Sequence, residues 1–205
     1  MTFARAAALT GLVALAPGWA AAQCYTAADL ARGIEVEFEG GDVTSHRRLG
    51  DGSIEVIERF ADGSDPIEFR ANRGVYFTSE WSIDPSGAPI PDSRLDIEFP
   101  VDPARLPEPV PGASWTGRTV NAFEDGTRRE ETTSVEFAEA PPTTLSGCDY
   151  ETVEARIRYD WGDEGGLSLV YDYLPALGTA ILRSNQFDGD TLNETAPVAI
   201  APMTK

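Results

Sequence analysis

The feature that most constrains this chain is a period of two in its apolar residues. Val153, Ala155, Ile157, Tyr159 and Trp161 fall on one side of the alternation, and Glu154, Arg156, Arg158 and Asp160 on the other. Successive side chains of an extended strand point to opposite faces, so such a run buries one face and wets the other. The pattern recurs at Ile34, Val36 and Phe38, at Leu95, Ile97, Phe99 and Val101, and at Leu167, Leu169, Tyr171 and Tyr173. Val75, Phe77 and Trp81 likewise alternate with Tyr76, Thr78 and Glu80. Asp51-Gly52, Asp62-Gly63 and Asp125-Gly126 separate such runs and tolerate the positive φ of tight hairpins. About ten strands joined by hairpins predict an all-β fold. Its architecture is an antiparallel meander forming a curved open sheet, a half-barrel or a sandwich. One short N-terminal helix is expected over residues 27–32, with Thr26 as its cap and Gly33 after its last turn.

Residues 1–22 read as a secretory signal peptide. Arg5 gives a positive start, residues 6–16 (AAALTGLVALA) an apolar core, and Ala20-Ala21-Ala22 a small-residue cleavage site before Gln23. Spanning a bilayer takes about 20 apolar residues, so this run is too short to serve as an anchor. The expected location is periplasmic or secreted, with no membrane span. Residues 23–188 then read as a single β domain, with a candidate joint at 100–111, where five prolines remove ladder donors. Residues 189–205 carry no periodicity and read as a flexible tail. The two cysteines, Cys24 and Cys148, meet an oxidising compartment after export and are expected to form one disulfide.

Charge narrows the partners. The chain has 34 acidic and 16 basic residues, a formal net charge of −18, which repels nucleic acid and anionic lipid headgroups. A single histidine and two cysteines give no zinc ligand set, and no glycine-rich phosphate loop precedes a helix, so no metal or cofactor is expected. His46, beside Arg47 and Arg48, reads as a solvated strand residue and not as a general base. Among carboxylates, Glu80 beside Trp81, the Glu130-Glu131 pair, Asp160 and Asp163-Glu164 come nearest to a hydrolase set. Glu130 and Glu131 are strand neighbours, however, and should face opposite sides. The segment 160–166 (DWGDEGG) reads as a hairpin turn before it reads as a calcium loop.

The aromatic residues Tyr159, Trp161, Tyr171 and Tyr173 occupy alternate positions of two consecutive strands. If those strands pair, the four rings share one face, which is either plain core or the wall of a ligand cavity. They are the candidate ligand-binding residues. The expected function is a non-enzymatic binding protein for an apolar or amphipathic ligand or an envelope component. An interaction module with an acidic surface and a carboxylate-dependent hydrolase are the alternatives.

From residue 109 onward the order P-V-P-G-A-S-W (109–115), S-G-C-D-Y (146–150) and Y-D-Y-L-P-A-L-G (171–178) resembles uncharacterised exported bacterial antiparallel β proteins. Those share a G-x-x-W strand, a G-C-x-Y turn and a terminal Y-x-x-P-x-x-G hairpin. The resemblance implies an envelope location and a structural corner at Pro175 and Gly178. It carries over no catalytic residue.

Overall fold

The computed structural model describes residues 24–203 of the chain, so the signal peptide expected over 1–22 lies outside the described residues. Fifteen strands lie among the described residues. In chain order they are β1 (Ile34–Phe38), β2 (Val43–Arg48), β3 (Ile54–Arg59), β4 (Ile67–Asn72), β5 (Tyr76–Ser82), β6 (Leu95–Glu98), β7 (Ser114–Phe123) and β8 (Arg128–Glu139). There follow β9 (Thr143–Leu145), β10 (Cys148–Tyr150), β11 (Val153–Asp160), β12 (Gly166–Leu174), β13 (Thr179–Phe187), β14 (Asn193–Glu194) and β15 (Pro197–Pro202). Thirteen strands form one antiparallel sheet in the order β14-β13-β12-β11-β8-β7-β6-β5-β4-β3-β2-β1-β15, while β9 and β10 form a separate hairpin. The alternation therefore becomes an all-β meander, and of the expected architectures the chain adopts the curved open sheet.

The curvature is strong. The rings of Phe77 on β5 and Tyr171 on β12 lie 5.6 Å apart, although five ladders separate their strands. Strands sit about 4.8 Å apart, so a flat sheet would hold those rings about 24 Å from each other. Three bulges accompany the coiling: one leaves Val198 of β15 without a ladder partner in β1, and the other two lie in the strands around the sheet's interior. Arg70 pairs with Ser79 but Ala71 with Phe77, which leaves Thr78 of β5 without a ladder partner. Val170 pairs with Ser184 but Tyr171 with Leu182, which leaves Arg183 of β13 in the same position. Each extra residue bends its strand and inverts the side-chain phase beyond it.

Three sequence expectations are corrected. The helix over 27–32 is reduced to a 3-10 turn, Asp29–Ala31, and the Asp29 carboxylate accepts the Thr26 N–H at 2.9 Å instead of Thr26 capping the helix. Nine residues lie between the disulfide-held Cys24 and β1, too few to sustain a helix once nucleated. The tail expected at 189–205 contains β14 and β15: β14 pairs with β13, and β15 pairs with β1. Residues 193–202 thus lie along both edges of the sheet, pairing with β1 over its length and with Ser184 and Asn185 of β13. His46 is 1% exposed, not solvated, and its two ring nitrogens lie 3.0 Å from Thr44 Oγ1 and 3.1 Å from Thr179 Oγ1.

The proline-rich segment 100–111 joins β6 to β7, which pair directly, and it folds back over the sheet. Leu106 is buried there, Arg73 Nη1 donates to the Leu106 carbonyl, and Tyr76 Oη donates to the Pro107 carbonyl at 2.8 Å. Cys24 and Cys148 form the disulfide, with Cα atoms 5.6 Å apart, and so tie the N-terminal segment to β10.

Candidate functional site

Within the coil lies an open cavity of about 320 Å³. One side is built by Glu58 of β3, Phe69 of β4, Phe77 and Glu80 of β5, and Leu95 and Ile97 of β6. The opposite side comes from Tyr159 of β11, Leu167, Leu169 and Tyr171 of β12, and Leu182, Asn185 and Phe187 of β13, with Trp161 just after β11. Asn121 of β7 and Glu131 of β8 lie between them. The volume is at the lower end of the range for small-molecule sites, and mostly apolar walls with a few convergent polar groups are typical of such sites.

The bulges decide which polar groups reach this space. Plain alternation from Phe77 would place Ser79 and Trp81 inside and Glu80 outside. The unpaired Thr78 reverses this, so Phe77 and Glu80, three residues apart, both line the cavity, and Trp81 goes to the outer face. On β13 the unpaired Arg183 does the same for Leu182 and Asn185. These two bulges therefore each deliver one polar side chain into an otherwise apolar wall.

Three carboxylates line the cavity, and their surroundings differ. Glu131 is 5% exposed and accepts four hydrogen bonds. Trp161 Nε1–H donates at 2.7 Å, Asn121 Nδ2–H at 2.8 Å, and the Thr119 and Thr133 hydroxyls at 3.0 and 3.4 Å. Its sequence neighbour Glu130 is exposed and pairs with Arg118, as expected for adjacent strand residues. Glu58 and Glu80, by contrast, have no hydrogen-bond donor and no cation as partner among the described residues. Burial pushes the Glu58 carboxyl up to about 7, with the nearby Glu80 and Asp42 carboxylates adding to the rise. Burial also raises Glu80, and Glu131 raises it further.

The outer face of the same strands handles its acids differently. Glu55 meets Arg47 and Arg70 at 2.7 Å each, and Arg70 also reaches Glu68 at 2.7 Å. Arg70 and Arg94 stack over the Trp81 ring, 5.4 and 5.0 Å from its centroid. Cations thus neutralise the outer acids, whereas no Arg, Lys or His lines the cavity.

Of the four aromatic residues singled out in the sequence, Tyr159, Trp161 and Tyr171 line the cavity, and Tyr173 does not: it packs half-buried against the core further along β12. Tyr159 and Tyr171 are buried, and burial raises both hydroxyls above the ordinary tyrosine range, so each remains a hydrogen-bond donor at neutral pH. Trp161 stands at the mouth, 6.2 Å from the 49% exposed Phe187 ring. The rim beside it carries Phe123 with the Arg129 guanidinium 5.9 Å above its ring, and Arg129 reaches Glu164 at 3.4 Å. Asp160 ends β11 and its Oδ1 accepts the Gly162 N–H at 2.8 Å, while Asp163 lies in the turn that follows. Among the described residues no three acidic, histidine or cysteine side chains form a group that could hold a metal ion.

Glu58, Asn121, Asn185 and Phe187 were not anticipated as site residues. A signal for Glu58 existed: it continues the register of Ile54 and Val56 and so places a carboxylate on an apolar face. Asn185 had none, because its direction depends on the bulge.

Fold and site together define a coiled antiparallel β protein with an acid-bearing apolar cavity. Comparison with protein-family models, with curated proteins and with solved structures finds no match.

Proposed function

We propose that this is an exported bacterial binding protein, without enzymatic activity, that takes a small apolar or amphipathic molecule into the cavity bounded by Tyr159, Trp161 and Tyr171. The observation that carries the reading is the retention of Glu58 and Glu80, unpartnered, in an apolar space. A carboxylate held half-buried in an apolar space, without a donor or a cation, costs stability and contributes nothing to packing. Acids perturbed by loss of water and lying in a cleft are the kind of group that functional sites use. The disulfide and the signal-like N-terminus support export, and among the described residues no helix is long and apolar enough to cross a membrane.

Native mass spectrometry of the protein, purified without detergent from a bacterial periplasm, tests the reading. The expected spectrum shows a retained small-molecule mass that Trp161→Ala abolishes while the fold persists. An identical apo spectrum for both proteins contradicts it.

One observation favours a second reading, a carboxylate-dependent hydrolase: the raised Glu80 lies near the hydrogen-bonded Glu131. Two carboxyl groups with different environments are the basis of acid and base roles. Turnover of nitrophenyl glycosides or esters that Glu80→Gln and Glu131→Gln each abolish would establish it.

A further inference from the structure

Resting on the cavity being a ligand site, we infer that its ligand is an organic cation: a small amine or quaternary ammonium group carried on an apolar or aromatic body. The acids alone would not carry this. The further observation is that two of them, Glu58 and Glu80, line the cavity without donor or cation, while acids of the same strands on the outer face are paired with arginines. The bases nearest Glu58 bring no charge into the cavity: His46 of β2 is buried and held neutral by loss of water, and the Arg59 guanidinium donates to Ser45 Oγ. The other ionisable groups facing Glu58 are acidic. These are Glu80 from β5, Asp42 from the turn before β2 and Tyr171 from β12, with Glu131 and Tyr159 facing Glu80 in turn. The flanking strands β2, β4 and β13 contribute Thr44, Phe69, Leu182 and Asn185, which carry no charge.

The interior therefore repels anions and has unfilled capacity for positive charge. Its rings suit the same ligand, because aromatic faces attract cations most strongly in desolvated sites. A metal ion does not fit, since among the described residues no three acid, histidine or cysteine side chains form a metal-binding group. A cation also gives Glu58 a reason to ionise, so binding should release a proton wherever that carboxyl is still protonated in the empty protein.

The test uses an isosteric pair. Benzyltrimethylammonium carries a charge that does not titrate, and neopentylbenzene replaces its nitrogen with carbon. Titrating the protein with each, by isothermal calorimetry between pH 6 and 8, isolates the contribution of charge. The cation is expected to bind at least about tenfold tighter than the hydrocarbon, the scale of a buried cation–π contact. Its affinity should rise with pH across that range, and Glu58→Gln should flatten the rise. Equal, pH-independent binding of both probes would leave the ligand site standing and overturn the cation. Tighter binding of the hydrocarbon would do the same. Binding of neither probe would overturn the ligand site and the cation together. The wild-type pH profile decides the matter even if the variant folds poorly.

Discussion

Glu58 and His46 lie on the same face of neighbouring strands, and burial acts on them with opposite consequences for stability. His46 is held neutral, its imidazole pushed down to about 4 by loss of water. The unfolded chain takes up that proton near pH 6.5, so this stability is present above 6.5 and is lost as pH falls towards 4, by roughly 3 kcal/mol in all. Glu58 is pushed up to about 7, so the unfolded chain releases its proton first. Its contribution is present below about 4.5 and is lost as pH rises through 7. The two slopes oppose each other between about pH 4.5 and 6.5. Glu58→Gln should therefore leave stability unchanged near pH 4.5 and raise it above pH 7 by on the order of 2–3 kcal/mol, read from urea unfolding. An unchanged difference at both pH values would mean that Glu58 is not held in an apolar setting. The burial of His46 was not legible in the sequence. Arg47 and Arg48 beside it look like solvated neighbours, while its partner Thr179 lies 133 residues away. Glu58 was legible in principle, because its phase with Val56 is local.

At the scale of elements, alternation placed most strands and their inward faces, and it failed where an extra residue breaks the count. Read straight through β5, it sends Trp81 inside and Glu80 out; the unpaired Thr78 makes the opposite true. A bulge leaves no mark in a hydrophobic pattern when the residues on both sides of it are mixed. Turns were better encoded: Gly52, Gly63 and Gly126 of the three Asp-Gly pairs all take positive φ, whereas the tip between β4 and β5 carries no such pair. Arg73 and Gly74, at φ 54° and 71°, form the tip between β4 and β5. A Cβ on Gly74 would meet the Ala180 backbone nitrogen at 2.8 Å. Gly126, at φ 86° in the β7–β8 turn, has nothing within 4 Å of the same position. Gly126→Ala should cost about 1 kcal/mol from backbone strain alone. Gly74→Ala should cost clearly more, because the start of β13 must also move, and thermal unfolding of the two variants compares them. Equal losses would mean that the β4–β5 tip does not pack on β13. Trp161→Phe keeps an aromatic ring, though a smaller one, and removes the donor to Glu131, an interaction to a carboxylate worth about 1.5–3 kcal/mol.

The whole molecule depends on contacts between residues distant in the chain, which periodicity does not reveal. The disulfide was legible because two cysteines in an exported chain have one pairing. It closes a separation of 124 residues. The chain-entropy model gives about 4–5 kcal/mol for a loop of that size, so Cys24→Ser with Cys148→Ser should lower unfolding stability by up to that amount. A curved sheet was legible, but the contact it makes was not: Phe77 meets Tyr171 only because five ladders accumulate curvature between them. Nor was the role of residues 193–202, whose short strands complement β13 and β1 without a strong apolar period. Ending the chain at residue 191 should expose both edges and produce concentration-dependent association in sedimentation, since unpaired edges recruit further strands. A monomer of unchanged stability would show that the segment is dispensable.

The central claim is that the space between Trp161, Glu58 and Glu80 receives a ligand, and the indole N–H signals of the protein report on it most directly. Trp161 stands at the cavity mouth, whereas Trp81 lies on the outer face between two arginines. In nitrogen–proton correlation spectra recorded during titration with benzyltrimethylammonium, the Trp161 indole signal should move saturably and the Trp81 signal should stay fixed. A stationary Trp161 signal, or the two signals drifting together without saturation, would contradict the account.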